Sequence, residues 1–393
     1  MGNESEFKVQ TKEIPFEQII QRLTEHQERA HYGEDRPGLT KAHQPKQPTS
    51  GPGGSAYKHR EVRTNLYAEG NLAYWLYEPV DPSPQRAPLV TLLHGWGGGS
   101  PSRFGAWIDH LVKRGNIVLF PVYQGSLRPW AKPWDQVPAS EMLTNVTGTV
   151  KDAIQRLQKG DHVQPNLERF AITGLSLGGA LTAQMAAVAQ KNGLPVPRAI
   201  MPIAPGRPIW ARRSLPVVDL RTIPSSLLMI VVVCEDDKTA GDREGRRIFA
   251  ETSQISPENK NLVVMLSDYH GTPPLVANHS SPAAYHPNYE MAPLIQNRRL
   301  NRPGKKVEER DFLPPSALHY YGYWKLFDAL TDAAFYQQNR EYALGATPQQ
   351  RFMGIWSDGA PVKELTVITN LHMLPRRLGH ISRSRRWSAW RSR

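Results

Sequence analysis

Ser176 is the residue whose surroundings most invite chemistry. It is the centre of a Gly-x-Ser-x-Gly pattern within GLSLGG, residues 174–179. The pattern alone is short enough to arise by chance, and a serine in a glycine-rich turn often does no more than cap a helix. A nucleophilic serine needs a base for its proton, an acid to orient that base, and N–H donors for the oxyanion. The chain offers each of these in turn. LLMIVVVCEDD (227–237) ends in three acids, of which Asp237, followed by Lys-Thr-Ala, is the preferred orienting acid and Asp236 the second choice. SDYHG (267–271) delivers His270 soon after an apolar run, so His270 is the preferred base; His279, further into a proline-rich stretch, is the alternative. LVTLLHGWGGG (89–99) supplies a glycine-rich loop, and the N–H groups of Trp96 and Leu177 are the expected oxyanion donors. An acid at a strand end or a histidine after a strand is commonly an ordinary turn residue. The Ser, Asp, His order along the chain is what lifts these above that background.

Other chemistries fit less well. The 89–99 loop has neither the Gly-Lys-Ser/Thr ending of a phosphate loop nor G-x-G-x-x-G, so nucleotide binding is disfavoured. There is no His-Glu-x-x-His, and His279 and His286 have no ligand-like partners nearby in sequence, so neither metal nor cofactor is implied. His94 precedes the glycine-rich loop and is read as holding it by hydrogen bonding. Tyr123, Trp130 and Trp134 in and after PVYQGSLRPWAKPW, together with Trp96, are candidate walls of an apolar acyl pocket, the plainer reading being that they cover the rim of the core.

These residues need a scaffold, and the hydropathy pattern describes one. VRTNLYAEG and NLAYWLYEP alternate around turn residues as a β-hairpin does. APLVTLLHG, GNIVLFPVY, RFAITGLS, RAIMPIAPG, LLMIVVVCEDD and NLVVMLSDYH are short β-branched apolar runs of the kind buried on both faces of a parallel sheet. FGAWIDHLVKRG, VTGTVKDAIQRLQKG, GGALTAQMAAVAQKNG and SALHYYGYWKLFDALTDAAFYQQ carry helical spacing between and after them. Alternating strands and helices after a hairpin give a three-layer α/β domain. Ser176 then sits where a strand (RFAIT) turns sharply into a helix (ALTAQMAAVAQ), which is where a strained, exposed nucleophile belongs.

Residues 1–60 read as a polar N-terminal arm and linker, with a short helix around FEQIIQRL and a Pro/Gly-rich stretch KAHQPKQPTSGPGGS. Residues 61–375 form the catalytic domain, interrupted at 271–315 by a lid-like excursion rich in proline and charge. Residues 376–393 are a basic tail with seven arginines and no acid, which accounts for much of the net charge of +12. A solvated tail is a plainer reading of that charge than a nucleic-acid site, since no recognised nucleic-acid module surrounds it. The single cysteine, Cys234, rules out an intrachain disulfide. No apolar run is long enough to span a bilayer, and the start lacks a signal-peptide pattern, so a cytoplasmic location is expected unless the start is a processed one.

HGWGGG, GLSLGG, CEDDK and SDYHG together resemble, in order, the oxyanion loop, nucleophile elbow, acid turn and histidine loop of the α/β-hydrolase superfamily. Within it the chain is similar to carboxylesterases of the cutinase, chlorophyllase and dienelactone-hydrolase type. The resemblance implies an eight-stranded, mostly parallel sheet with a Ser-His-Asp site at its C-terminal edge, and cleavage of small-molecule or polymeric carboxylic esters without a cofactor. The leucines flanking Ser176 depart from many polyester hydrolases, and Cys234 stands where a glycine is often found. Polyesterase, thioesterase and peptidase activities on the same frame, or a silent ligand-binding protein, are the alternatives.

Overall fold

The computed structural model describes residues 40–68, 70–124, 137–207, 215–289 and 314–370. Its centre is one nine-stranded sheet: β1 (Glu61–Tyr67), β2 (Tyr74–Val80), β3 (Arg86–Leu93), β4 (Ile117–Pro121), β5 (Gln164–Leu175), β6 (Ala199–Ile203), β7 (Leu228–Cys234), β8 (Lys260–Met265) and β9 (Thr366–Ile368). The spatial order is β1-β2-β4-β3-β5-β6-β7-β8-β9. Strands β3 to β8 run parallel to their neighbours, while β1, β2 and β9 are antiparallel additions at the two edges.

The reason for a parallel centre is visible in β7, where all seven residues are buried. Alternate side chains point to opposite faces of a strand, so both faces of β7 must be covered. Ile230 and Val232 join a core with Trp107, Leu111, Phe327 and Leu330. Met229, Val231 and Val233 join the core on the other face with Met142, Leu181, Met185 and Phe249. Helices α1 (Gly105–Lys113) and α5 (Trp324–Tyr336) therefore lie on one side. Helices α2 (Ala139–Leu157), α3 (Leu177–Val188) and α4 (Arg243–Glu251) lie on the other.

Strand order reverses beside β3, which has β4 on one side and β5 on the other. In open α/β sheets the crevice outside the strand C-termini at such a reversal is where ligands bind. The loop leaving β3 and the turn leaving β5 meet there, because Leu93 is in register with Gly174.

Three features differ from the expectations. The sheet has nine strands rather than eight; the extra one is the three-residue β9, antiparallel to β8. Residues 40–60 are not a free linker. Thr40 donates its N–H to the His270 carbonyl (2.8 Å), Thr272 donates to Ala42 (2.9 Å), and Gly53 donates to the Asp328 carboxylate (2.7 Å). Proline and glycine there make a close-fitting strap, in which a side chain at Gly53 would collide with the Tyr320 backbone. The first part of the excursion, 271–289, is likewise packed, with Leu275, Ala277, Ala284 and Tyr289 buried. The helix expected near FEQIIQRL, residues 290–313 and the basic tail lie outside the described residues.

The strap, α1 and α5 converge on one buried carboxylate. Asp328 accepts from Gly53 N and from His110 Nε2 (2.9 Å), and it forms an ion pair with Arg114, whose Nε is 3.2 Å away. Burial pushes this carboxyl up, but Arg114 and His110 outweigh burial and leave it below the ordinary carboxylate range. Its contribution to stability is then fully present above the unfolded-state carboxylate range and fades as pH falls through the folded value. Asp328→Ala should cost about 3–5 kcal/mol, because it strands the largely buried Arg114 guanidinium and leaves the buried His110 ring without its carboxylate. Denaturant unfolding at neutral pH measures this, and a loss below about 1 kcal/mol would mean the cluster behaves like a surface pair.

Candidate active site

Ser176 joins β5 to α3 with φ 59° and ψ −118°, a region that non-glycine residues rarely enter. The neighbours make this turn possible. A Cβ at Gly178 would run into the Leu93 and His94 carbonyl oxygens, and one at Gly174 would lie 2.6 Å from the Gly178 oxygen. Backbone bonds then hold the serine on both sides: Ser176 N–H donates to Ile203 (2.9 Å), and Gly206 N–H donates to the Ser176 carbonyl (3.0 Å). From Phe170 to Ala187, Ser176 is the one residue that is not buried. The turn thus leaves a half-buried serine at the N-terminus of a buried helix, where the helix dipole favours negative charge.

The acid turn after β7 separates the three carboxylates by what they hold. Asp237 is 1% exposed. Its Oδ1 accepts from the Thr239 and Ala240 N–H groups (2.8 and 2.9 Å). Its Oδ2 lies 2.7 Å from His279 Nδ1. Asp236 instead binds the Ser267 hydroxyl (2.6 Å) and the Tyr269 hydroxyl (2.9 Å), and Glu235 accepts from Ser267 N (3.0 Å). Both of these pin the segment that follows β8. The Asp237 turn also lies close to the serine: a methyl placed on Gly206 would be 3.2 Å from Ala240 Cβ and 3.5 Å from Ser176 Oγ.

The histidine on that carboxylate is His279 and not His270, which corrects the sequence expectation. His270 pairs through Nε2 with Asp358 (2.7 Å), packs beside Trp356, and lends its carbonyl to the N-terminal strap. Both members of that pair are about a third or more exposed, the ordinary condition of a surface ion pair. The physical reason is that the chain after β8 does not pass straight to the site. Asp268 exchanges backbone bonds with Leu275 across a tight loop, carrying 269–274 away before the chain returns at 276–284. Nothing local in SDYHG or ANHSS announces this detour.

The loop after β3 is held by His94 and Tyr123. His94 is fully buried, and burial lowers its pKa to about 4, so it is neutral and its Nδ1–H donates to the Gly95 carbonyl (2.7 Å). Tyr123 stacks on this ring at 4.2 Å and donates its hydroxyl to the His94 carbonyl. Tyr123 is therefore a fully buried support for the loop and not a pocket wall, a second correction. Gln124, which the sequence did not single out, accepts from Gly97 N (2.7 Å). A Cβ on Gly95 would lie 3.3 Å from the Ser176 Cβ, so the loop passes directly over the serine. Trp96 is half-buried at its crest. Leu177 opens α3, and its N–H has no partner within the helix because first-turn donors never do. Trp130 and Trp134 lie outside the described residues.

Among the described residues, no group of three His, Cys, Asp or Glu side chains is arranged to hold a metal ion, and no helix is long and apolar enough to cross a membrane. No curated protein matches the chain. The model of the dienelactone hydrolase family matches residues 72–194, which include the Gly95 loop and Ser176 but stop short of Asp237 and His279. The match supports a hydrolase. The chain has the α/β-hydrolase fold, and over residues 72–194 it is similar to the dienelactone hydrolase family.

Proposed function

We propose that the chain hydrolyses carboxylic esters through an acyl-enzyme on Ser176, with His279 as the base and Asp237 as its orienting acid. The observation that carries this reading is the 2.7 Å bond between His279 Nδ1 and Asp237 Oδ2, made from a turn that lies close to a strained, half-buried serine. A carboxylate on Nδ1 fixes the proton there and leaves Nε2 unprotonated, which is the tautomer a base requires. The family name adds support, since a lactone is a cyclic carboxylic ester.

In this mechanism His279 Nε2 takes the Ser176 proton as Oγ attacks the ester carbonyl. The carbonyl oxygen becomes an oxyanion held by the N–H groups of Leu177 and Trp96, each such donor being worth roughly 10²–10³ in rate. His279 then gives its proton to the departing alcohol, leaving an acyl group on Ser176. Water repeats the cycle and releases the acid. Asp237 keeps the imidazole oriented and stabilises it while it carries the extra proton.

Two outcomes separate this site from the one the sequence favoured. On nitrophenyl esters, Ser176→Ala and His279→Ala should each lower kcat by roughly 10⁴-fold or more, while His270→Ala should stay within about threefold of the parent. A silent His270→Ala alongside an inactive His279→Ala supports the reading; the reverse pattern overturns it. Asp237→Asn should cost about 10⁴ in kcat by removing the acceptor that sets the tautomer. Asp236→Asn, which disturbs only the Ser267 and Tyr269 contacts, should cost far less. Comparable losses in the two would contradict the assignment of Asp237.

A further inference from the structure

His279 lies in a tight turn between β8 and α5, and the elements around that turn are tied together by more than the Asp237 bond. Asn278 and Ser281 bracket it: the Asn278 carbonyl accepts both the Ser281 N–H (3.1 Å) and the Ser281 hydroxyl (2.7 Å). His279 thus occupies the second position of a closed β-turn. The Ser281 proton is committed to Asn278, so the Tyr323 hydroxyl, 2.7 Å from Ser281 Oγ, must be the donor in that contact. Tyr323 Oη is in turn 3.3 Å from the sulfur of Cys234. Burial pushes this thiol up to about 12, which keeps it protonated and able to donate.

The bonds therefore run in one direction, from the Cys234 thiol to the Tyr323 hydroxyl, to the Ser281 hydroxyl, to the carbonyl of the peptide from which His279 springs. Cys234, Tyr323 and Ser281 are all buried, so water does not compete for these bonds. Cys234 ends β7, three residues before Asp237. The chain of hydroxyls and the Asp237–His279 bond consequently close a ring: the acid turn and the histidine turn are joined once at the front and once behind.

The π-helical turn Leu318–Tyr323 that precedes α5 supplies the rear of this ring. It also places His319 against the same loop. Ser316 N donates to His319 Nδ1 (2.9 Å), so His319 carries its proton on Nε2 and donates it to the Ala283 carbonyl (3.2 Å). Departures from α-helical winding of this kind often occur at functional sites. Here two side chains of one such turn grip the loop at 281 and 283.

We infer that Tyr323 and Ser281 are positioning residues for His279, holding its peptide so that the imidazole meets Ser176 and Asp237 together. The inference rests on the reading of His279 as the base. Neither residue touches the substrate in this account; both act through the placement of His279.

The test compares Tyr323→Phe, Ser281→Ala and their double variant in the full-length protein. Nitrophenyl acetate is the substrate, and kcat is expressed per active site titrated with a fluorophosphonate. Each single variant should lose roughly ten- to hundredfold in kcat, with KM within about twofold, because a misplacement near 1 Å can cost that much. The double variant should be no worse than the poorer single one within about twofold, since both cut the same chain of bonds. Parental kcat in both singles, with His279→Ala inactive, overturns the inference and leaves the proposed function standing. Losses that multiply in the double variant, or a lowered Tm with kcat per site unchanged, assign these residues to stability and overturn it equally. Activity retained in His279→Ala removes the reading and the inference with it. Should Tyr323→Phe fail to fold, kcat and KM of Ser281→Ala decide, because that change removes a single buried oxygen.

Discussion

A serine at φ 59° and ψ −118° is the constraint around which the molecule is arranged. Such a conformation costs about 1–3 kcal/mol and persists only where the surroundings over-determine it. Here they do so from three directions. The β3 carbonyls leave room only for hydrogen at Gly178, the end of β6 accepts the serine N–H, and Gly206 donates back to the serine carbonyl. Relaxing the turn would break two backbone bonds in a buried setting, a loss comparable to the strain itself. The strain therefore stays, and with it a half-buried serine in a stretch, Phe170 to Ala187, that is otherwise buried.

The same economy appears in the groups that surround the serine. Each carboxylate after β7 has its own assignment, and only Asp237 turns towards a histidine. His94, Tyr123 and Gln124 all serve the loop that passes over Ser176, one through its ring nitrogen, one through stacking and its hydroxyl, one through its amide oxygen. Buried polar groups are expensive unless paired. A protein that places so many of them beneath two loops gains rigid loop geometry in return, which a site built on loops requires.

The parts legible in the sequence were those governed by local physics. Buried parallel strands betray themselves as continuous apolar runs, as β3, β4, β6, β7, β8 and the second half of β5 do. The elbow is legible because its steric demands fall on residues within two positions of Ser176. The parts that were not legible depend on distant neighbours. Whether His270 or His279 reaches Asp237 is decided by the pairing of Asp268 with Leu275, which no spacing rule encodes. Tyr123 looks like a pocket aromatic until the His94 ring is found stacked upon it. Residues 40–60 have the composition of a linker because proline and glycine serve both loose chains and straps that press backbone against backbone, and only partners far along the chain distinguish the two: His270, Thr272, and Asp328, which is 275 positions from Gly53. Strand β9 is three residues long, too short for alternation to show.

In the proposed mechanism one strained serine is made nucleophilic by one histidine. Treating the folded protein with a fluorophosphonate and mapping the adduct by mass spectrometry tests it without any choice of substrate. The account predicts a single adduct per chain, on the peptide containing Ser176, formed rapidly by the parent and lost when His279 is replaced by alanine but not when His270 is. An adduct on a different serine, or labelling of Ser176 that is indifferent to His279, would contradict it.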